Sequence, residues 1–243
     1  MLPNWFDEGV AATYDDDNDP LPEAGLDLLA ELAAPGGTAL ELAIGTGRVA
    51  LPLARRGVRV SGIELSPAML ARLRAKPGGD AASMPVALGD MTTQTMPGTF
   101  DVVYLVFNTI QNLTSQDAQA ACFANAAAHL RPGGTFIVET GVPRLRRLPP
   151  GQRYLAFDVS AGHVGVDEFD VAVQGLVSHH TTFRAGGRVD RVSVPFRYVW
   201  PAELDLMARL AGLRLRDRWA GWTREALTSE SGAHVSVWEK PAA

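Results

Sequence analysis

Cysteine is almost absent from this chain. Cys122 stands alone in an Ala-rich helical stretch, so no internal disulfide can form. A buried structural thiol and a cytoplasmic setting are the expectation. No apolar run reaches the ~18–20 residues of a membrane span. The opening Met-Leu-Pro-Asn-Trp-Phe-Asp-Glu has no basic stretch, so no secretory leader is expected. A basic excess is missing as well: the formal net charge is −5. Phosphate-backbone binders carry a basic footprint, which disfavours nucleic acid as a partner. Arg144, Arg146 and Arg147 do cluster, but in a Pro-flanked segment that reads as a solvated loop. The histidines His129, His163, His179, His180 and His234 show no ligand spacing with acids, so no metal is expected. There is no internal repeat, and the one biased stretch is the short acidic run Asp15-Asp-Asp17.

What is present is a large apolar fraction, 47% of 243 residues, enough for one α/β domain with an insertion. The stretch Thr38-Ala-Leu-Glu-Leu-Ala-Ile-Gly-Thr-Gly-Arg48 is the most informative. It reads as a buried strand near 38–44, a tight Gly turn, and a helix near 47–56. A second strand is expected at 58–64. Ser66-Pro67 then starts a helix, with Ser as N-cap and Pro in the first turn. A short third strand lies near 85–89. The fourth, Phe100-Asp-Val-Val-Tyr-Leu-Val-Phe107, is continuously apolar after Asp101, as a strand covered on both faces should be. A helix over 115–130 closes at Arg131-Pro-Gly-Gly134 and leads into a fifth strand at 135–139. Repeated βα units imply a parallel sheet with right-handed crossovers.

The rhythm breaks after Gly141. Residues 142–153 hold three prolines and read as a loop. Strands are expected over 164–173, 175–184 and 188–199, with Ala185-Gly-Gly187 as a hairpin. Pro201 opens a helix to about 211, and two last strands fall near 213–221 and 233–239. The expectation is one α/β domain built on a Rossmann-like, open, mostly parallel seven-stranded sheet. Helices cover both faces, and a small antiparallel insertion follows the fifth strand. Residues 1–35 form an N-terminal cap, 38–141 a cofactor-binding core, 142–200 the insertion and 201–243 the completion of the sheet.

The Gly turn admits two cofactors. Gly45-Thr-Gly47-Arg-Val-Ala50 fits the dinucleotide fingerprint G-x-G-x-x-A, and Glu64 lies where a ribose-binding acid belongs. Charge separates the possibilities. Glu41, Glu64 and Asp90 place three acids at or near one sheet edge, which repels an anionic pyrophosphate. S-adenosylmethionine (SAM) carries a sulfonium and an ammonium and is attracted there.

Five motifs now stand in order: Glu41-Leu-Ala-Ile-Gly-Thr-Gly47, Ile63-Glu-Leu-Ser-Pro-Ala-Met-Leu70, Gly89-Asp-Met91, Phe100-Asp-Val-Val103 and Leu130-Arg-Pro-Gly-Gly-Thr-Phe136. In these the chain resembles the class I SAM-dependent methyltransferases of the small-molecule type, over about residues 5–141 with a weaker tail at 198–240. Ala43 stands where the family has the first glycine of its loop. The resemblance implies that Glu41 and the backbone at Ala43 and Gly45 hold the methionine portion, with Gly47 completing the turn. It implies that Glu64 accepts both ribose hydroxyls and that Leu65 and Met69 sandwich adenine. Asp90 would take the adenine amino group, Met91 would flank the ring, and Phe107 would lie under the sulfonium. Tyr14 matches an aromatic that lids the cofactor. Arg48 reaches the methionine carboxylate or is merely solvated.

For the methyl acceptor, three regions qualify. Asn108, Gln111 and Asn112 follow the fourth strand and orient an acceptor or cap the turn. Glu139 and Thr140 end the fifth strand; Glu139 is a base, an amine partner, or half of a salt bridge to a loop arginine. His179 and His180 lie in a strand, where neighbours point to opposite faces, so one of them can face a pocket as a base. The insertion reads as an acceptor lid or a dimer interface, so monomer and homodimer both stay open. The implied activity is methyl transfer to oxygen or nitrogen of a small-molecule acceptor. The rival readings are a nicotinamide-dependent oxidoreductase and a SAM-binding relative that has lost transfer.

Overall fold

A computed structural model describes residues 5–242. Met1–Asn4 and Ala243 lie outside it, and with them the start of the stretch in which no secretory leader is expected. Two sheets organise the chain. The first has seven strands: β1 (Thr38–Leu42), β2 (Arg59–Glu64), β3 (Val86–Leu88), β4 (Phe100–Leu105), β5 (Leu130–Gly141), β10 (Arg214–Trp219) and β11 (Ala233–Glu239). Their order is β10-β11-β5-β4-β1-β2-β3. All neighbours are parallel except β11, which runs antiparallel to both β5 and β10. The expected mostly parallel, Rossmann-like architecture is therefore present.

Both faces of this sheet are covered, so β4 has no polar alternation to show. On one face α5 (Gln116–His129) and α6 (Pro201–Leu210) bury Leu105, Phe123, Phe136, Leu204 and Trp238. On the other, α2 (Glu23–Ala33), α3 (Ala50–Arg55) and α4 (Pro67–Arg74) bury Leu29, Leu53, Val60, Leu73 and Val102. A short α1 (Glu8–Thr13) packs against α4. Local signals set the helix starts. Ser66 Oγ accepts from the Met69 N–H at 3.3 Å, and Ser115 Oγ from Ala118 N–H at 3.2 Å. Asp101 ties β4 to β1: its Oδ2 accepts from the N–H (2.7 Å) and hydroxyl (2.9 Å) of Thr38.

Several boundaries differ from the sequence reading, each for a local reason. The helix expected at 47–56 is Ala50–Arg55, because Gly47 holds a positive φ of 80° and keeps the turn open for three more residues. The fourth strand ends at Leu105 rather than Phe107; Phe107 and Asn108 are left-handed, at φ 56° and 60°. The fifth strand begins at Leu130, not 135. Gly133 N–H donates to Lys240 O (2.8 Å) and Lys240 N–H to Gly134 O (2.9 Å), so Arg131-Pro-Gly-Gly134 extends the ladder. Lys240 Nζ also donates to the carbonyls of Ala127 and Leu130, both at 2.8 Å, where α5 ends.

The second sheet has four antiparallel strands, β6 (Tyr154–Val159), β7 (His163–Asp170), β8 (Gly175–Phe183) and β9 (Val189–Arg197), in sequence order. β6 escapes the sequence reading. It is an edge strand, most of its residues are exposed, and its alternation is weak. β7 stops at Asp170, short of the expected 173. The root of β9 is fixed to the main body by Arg197. Its guanidinium donates to Gln174 Oε1 (2.9 Å) and Glu203 Oε1 (2.7 Å) and binds Gln119. Gln119 Nε2 in turn donates to the carbonyls of Ile110 and Arg197, both at 3.1 Å.

The Arg197–Glu203 pair is almost fully removed from solvent, with side chains 7% and 13% exposed. Arg197→Met is expected to leave a buried carboxylate without its cation and to cost about 3 kcal/mol. Urea unfolding followed by circular dichroism measures this. A loss under about 0.5 kcal/mol, the range of ordinary surface changes, would contradict it.

Candidate active site

The carboxyl ends of β1, β2, β4 and β5 converge on one edge of the main sheet, where open α/β sheets bind ligands. Two clefts lie there. One, of about 340 Å³, is lined by Tyr14, Glu41, Gly45, Arg48, Val106 and Phe107, among others. The second, of about 540 Å³, is lined by Trp5, Glu64, Leu65, Asp90, Met91 and Asn112, among others. Ala43 and Thr109 line both, so the two form neighbouring halves of one trough.

The floor is the turn after β1. Ala43, Gly45 and Gly47 all have positive φ, at 58°, 58° and 80°. A Cβ on Gly47 would meet Leu73 Cδ1 at 2.4 Å, so helix packing as well as backbone shape requires glycine there. Ala43 takes the left-handed conformation despite its methyl group, at a cost of about 1 kcal/mol. The family's glycine would avoid that cost.

Two buried acids flank the turn. Glu64, 5% exposed, accepts from Gly45 N–H (2.7 Å) and Ser66 N–H (2.8 Å). Burial raises its pKa, and the amides of Ser66 and Gly45 pull it back. Glu41, 4% exposed, accepts from the Tyr104 hydroxyl at 2.9 Å. Burial pushes its pKa up to about 8; the Tyr104 bond opposes this and the charge of Glu64 adds to it. Tyr104 is the register partner of Glu41 on β4 and was missed in the sequence. A single tyrosine in an otherwise apolar parallel strand was the available signal, since a buried hydroxyl needs a partner.

Arg48 lies in the first cleft between two rings. Its guanidinium carbon is 4.3 Å from the Phe107 centroid and 5.0 Å from that of Tyr14. It also donates to the carbonyl of Asp19. The N-terminal segment is pinned over the site: Asp15 binds Thr46 and Lys76, and Ser66 Oγ donates to the carbonyl of Phe6. Trp5 and Thr109 were not singled out in the sequence, and no spacing marks them. Met69 is buried in α4, with its Cε 3.4 Å from the place of a Cβ on Gly45. Asp90 Oδ1 accepts from the N–H (2.9 Å) and hydroxyl (2.8 Å) of Thr92.

Beyond Phe107, Glu139 Oε2 accepts from the Phe107 N–H at 2.5 Å. Its pKa is raised by burial, and no ion pair to it is present among the described residues, so the loop-arginine alternative is not realised. Asn108 Oδ1 accepts from Gly141 N–H (2.6 Å) and the Thr140 hydroxyl (3.2 Å), and Gln111 Nε2 donates to Thr140 Oγ1 (2.9 Å). His179 and His180 lie on β8 of the second sheet and take different partners. His179 meets Ser193 and Glu168; His180 meets His163 and Ser178. Among the described residues, no group of three or more His, Cys, Asp or Glu is arranged to hold a metal ion. Nor is any helix long and apolar enough to cross a membrane.

A family profile described as a methyltransferase domain matches residues 39–134. Over 96% of both chains, the structure superposes on the CcbJ methyltransferase of Streptomyces caelestis with a TM-score of 0.83 and 37% identity. The chain belongs to the class I SAM-dependent methyltransferases. A curated relative, the cypemycin N-terminal methyltransferase of a Streptomyces species, is 28% identical over 98% of both chains. Another, the ubiquinone biosynthesis O-methyltransferase of Pseudomonas paraeruginosa, is 26% identical over 88% of this chain and 79% of its own. The nicotinamide alternative is not favoured.

Glu41 gives this methyltransferase a testable pH dependence. A carboxyl whose folded pKa is about 8 binds its proton more tightly in the folded chain than in the unfolded one. Its contribution is fully present below the unfolded value of 4.5 and is lost as pH rises toward 8. Glu41→Gln should therefore flatten the decline in stability between those limits, as read by thermal unfolding without ligand. Parallel curves for wild type and variant would contradict the assignment.

Proposed function

We propose that the chain transfers the methyl group of SAM to the nitrogen of a small-molecule amine. Glu139 carries this reading: a half-buried carboxylate without an ion-pair partner among the described residues, bonded to the amide of Phe107. An amine brought to it meets a charge complement next to the ring proposed for the sulfonium. The cypemycin relative, an N-terminal methyltransferase by name, supports nitrogen as the target.

The residues fit the cofactor. The rings of Phe107 and Tyr14 already hold a delocalised cation, the Arg48 guanidinium, between them. When bound, SAM supplies an activated methyl group on sulfur. In this reading Glu64 takes the ribose diol, Glu41 the methionine ammonium and Arg48 its carboxylate, while the backbone at Ala43 and Gly45 follows the chain between them. Leu65, Met69 and Met91 enclose adenine, with Asp90 at its amino group. Asn108, fixed by Gly141 and Thr140, holds the Phe107 turn in place. Catalysis is mainly positioning, since the donor is already activated. The antiparallel sheet is the acceptor lid. The single buried cysteine favours a cytoplasmic enzyme, acting as monomer or homodimer.

The test is release of S-adenosylhomocysteine with a panel of amino-pyranosides, free amino acids and short peptides, each beside its hydroxyl analogue. Release with amines and not with the analogues is expected. Release with the hydroxyl compounds alone would overturn the nitrogen assignment.

The cofactor site is tested separately by Glu64→Gln, which keeps one acceptor oxygen for the turn. SAM affinity by calorimetry should fall about tenfold, the loss of one charge-assisted hydrogen bond. Unchanged affinity in a folded variant would remove Glu64 from the site.

A further inference from the structure

The second cleft holds two side chains to which the reading above gives no part. Glu64, Leu65, Asp90 and Met91 reach it from the ends of β2 and β3. Trp5 arrives from the N-terminal segment and Asn112 from the turn after β4. Neither lines the first cleft. Ile63 and Leu113 join Leu65 and Met91 in making the walls apolar. Such a slot suits a flat ring with apolar faces and a polar edge.

Trp5 is placed by the residue after it. The carbonyl of Phe6 accepts from Ser66 Oγ. Ser66 is fully buried and already belongs to the site. Its N–H donates to Glu64 Oε1 at 2.8 Å, and its Oγ caps α4 by accepting from Met69 N–H at 3.3 Å. One serine thus joins Glu64, the helix beside the cleft and the N-terminal segment. The Phe6 ring packs edge-on against Tyr14, with centroids 5.9 Å apart. Asp7 Oδ1 then accepts from Val10 N–H at 3.0 Å and starts α1. The Trp5 residue itself is 38% exposed, and no other ring packs on its indole among the described residues.

Asn112 is placed by its neighbours as well. Ile110 and Leu113 are buried, and Leu113 N–H closes the turn on Ile110 O at 3.3 Å. Gln111 is tied to Thr140. Asn112 is half-buried, and its carboxamide has no hydrogen-bond partner among the described residues. A polar group withdrawn from water is costly unless something bonds to it. In the same cleft Asp90 Oδ1 is taken by Thr92, while Oδ2 has no donor among the described residues. The cleft therefore offers one carboxylate oxygen and one carboxamide between apolar walls, with an indole at hand.

Adenine matches that set. Its faces stack on aromatic rings, and its edge puts an amino donor beside ring-nitrogen acceptors, a pattern that a carboxamide complements. We propose that Trp5 stacks on the adenine of bound SAM and that the Asn112 amide donates to one of its ring nitrogens. The proposal rests on SAM as the ligand of the trough. The two residues do different work. Stacking tolerates any base, so Trp5 contributes affinity. Hydrogen bonds tell donor from acceptor, so Asn112, beside Asp90, contributes selectivity for the base. The base is then held by the N-terminal segment and the β4 turn as well as by the ends of β2 and β3.

Binding to the full chain tests both roles without turnover. S-adenosylhomocysteine should quench tryptophan fluorescence in the wild type. Trp5→Leu should lose that quench and bind the ligand about tenfold more weakly by calorimetry, the scale of one base–aromatic stack. Trp5→Phe keeps a ring and should recover most of the affinity. Unchanged quench and affinity in Trp5→Leu, or a loss in Trp5→Phe as large as in Trp5→Leu, would overturn the stack. For Asn112 the probe is S-inosylhomocysteine, in which a carbonyl replaces the amino group of the base. Asn112→Ala should weaken S-adenosylhomocysteine about tenfold and the inosyl ligand less, which narrows the preference between them. Equal losses, or none, in the folded variant would overturn base reading by Asn112. If the wild type binds neither ligand, the cofactor assignment fails and both roles fall with it.

Discussion

The arrangement depends on burying two acids where the main sheet's parallel strands end. Glu41 and Glu64 are almost without solvent; the charge of Glu64 raises the cost of ionising Glu41, and Glu64 itself is held by backbone amides. Neither is bonded to a basic side chain among the described residues. Such a site is costly without a cation and complementary to a ligand that brings one. The turn at Ala43–Gly47 and the tyrosine on β4 follow from this constraint: the turn aims amides at Glu64, and Tyr104 gives Glu41 a donor that carries no charge. A dinucleotide would place its phosphates in the wrong field.

The other side of the trough is held by a second constraint. Phe107 and Asn108 are consecutive non-glycine residues with positive φ, an arrangement that persists only when surroundings fix it. Glu139 holds the Phe107 amide, and Asn108 is bonded to Gly141 and Thr140. The end of β5 thus sets where the Phe107 ring lies. The same turn continues into Thr109–Asn112, which Gln119 ties through Arg197 to the second sheet. The end of β5, the turn at 107–112 and the root of the second sheet are therefore one connected network.

The main sheet was legible because periodicity and glycine placement report on buried, regular elements. Glu41, Glu64 and Gly47 could be picked out because an acid ending an apolar strand, or a glycine opening a helix, conflicts with local preference. The second sheet was legible only in part. Its β6 is an exposed edge strand with weak alternation. The contacts of His163 with Asp158 and His180 were invisible because antiparallel register brings together residues 5 and 17 positions apart without a fixed spacing. Tyr104 could have been found from its hydroxyl alone. Trp5 reaches the trough because the N-terminal segment folds back onto α4; the pattern around Tyr14 announced a cap but not this residue.

The central claim is that buried acids, above all Glu41, select this cofactor. Calorimetry of SAM binding near pH 7, repeated in two buffers of different ionisation enthalpy, tests it most directly. Glu41, with a pKa of about 8 when no ligand is bound, should give up its proton as the methionine ammonium arrives. The account predicts net proton release on SAM binding, abolished in Glu41→Gln, and no binding of NADH. SAM binding with no proton exchange, or binding of NADH, would contradict it.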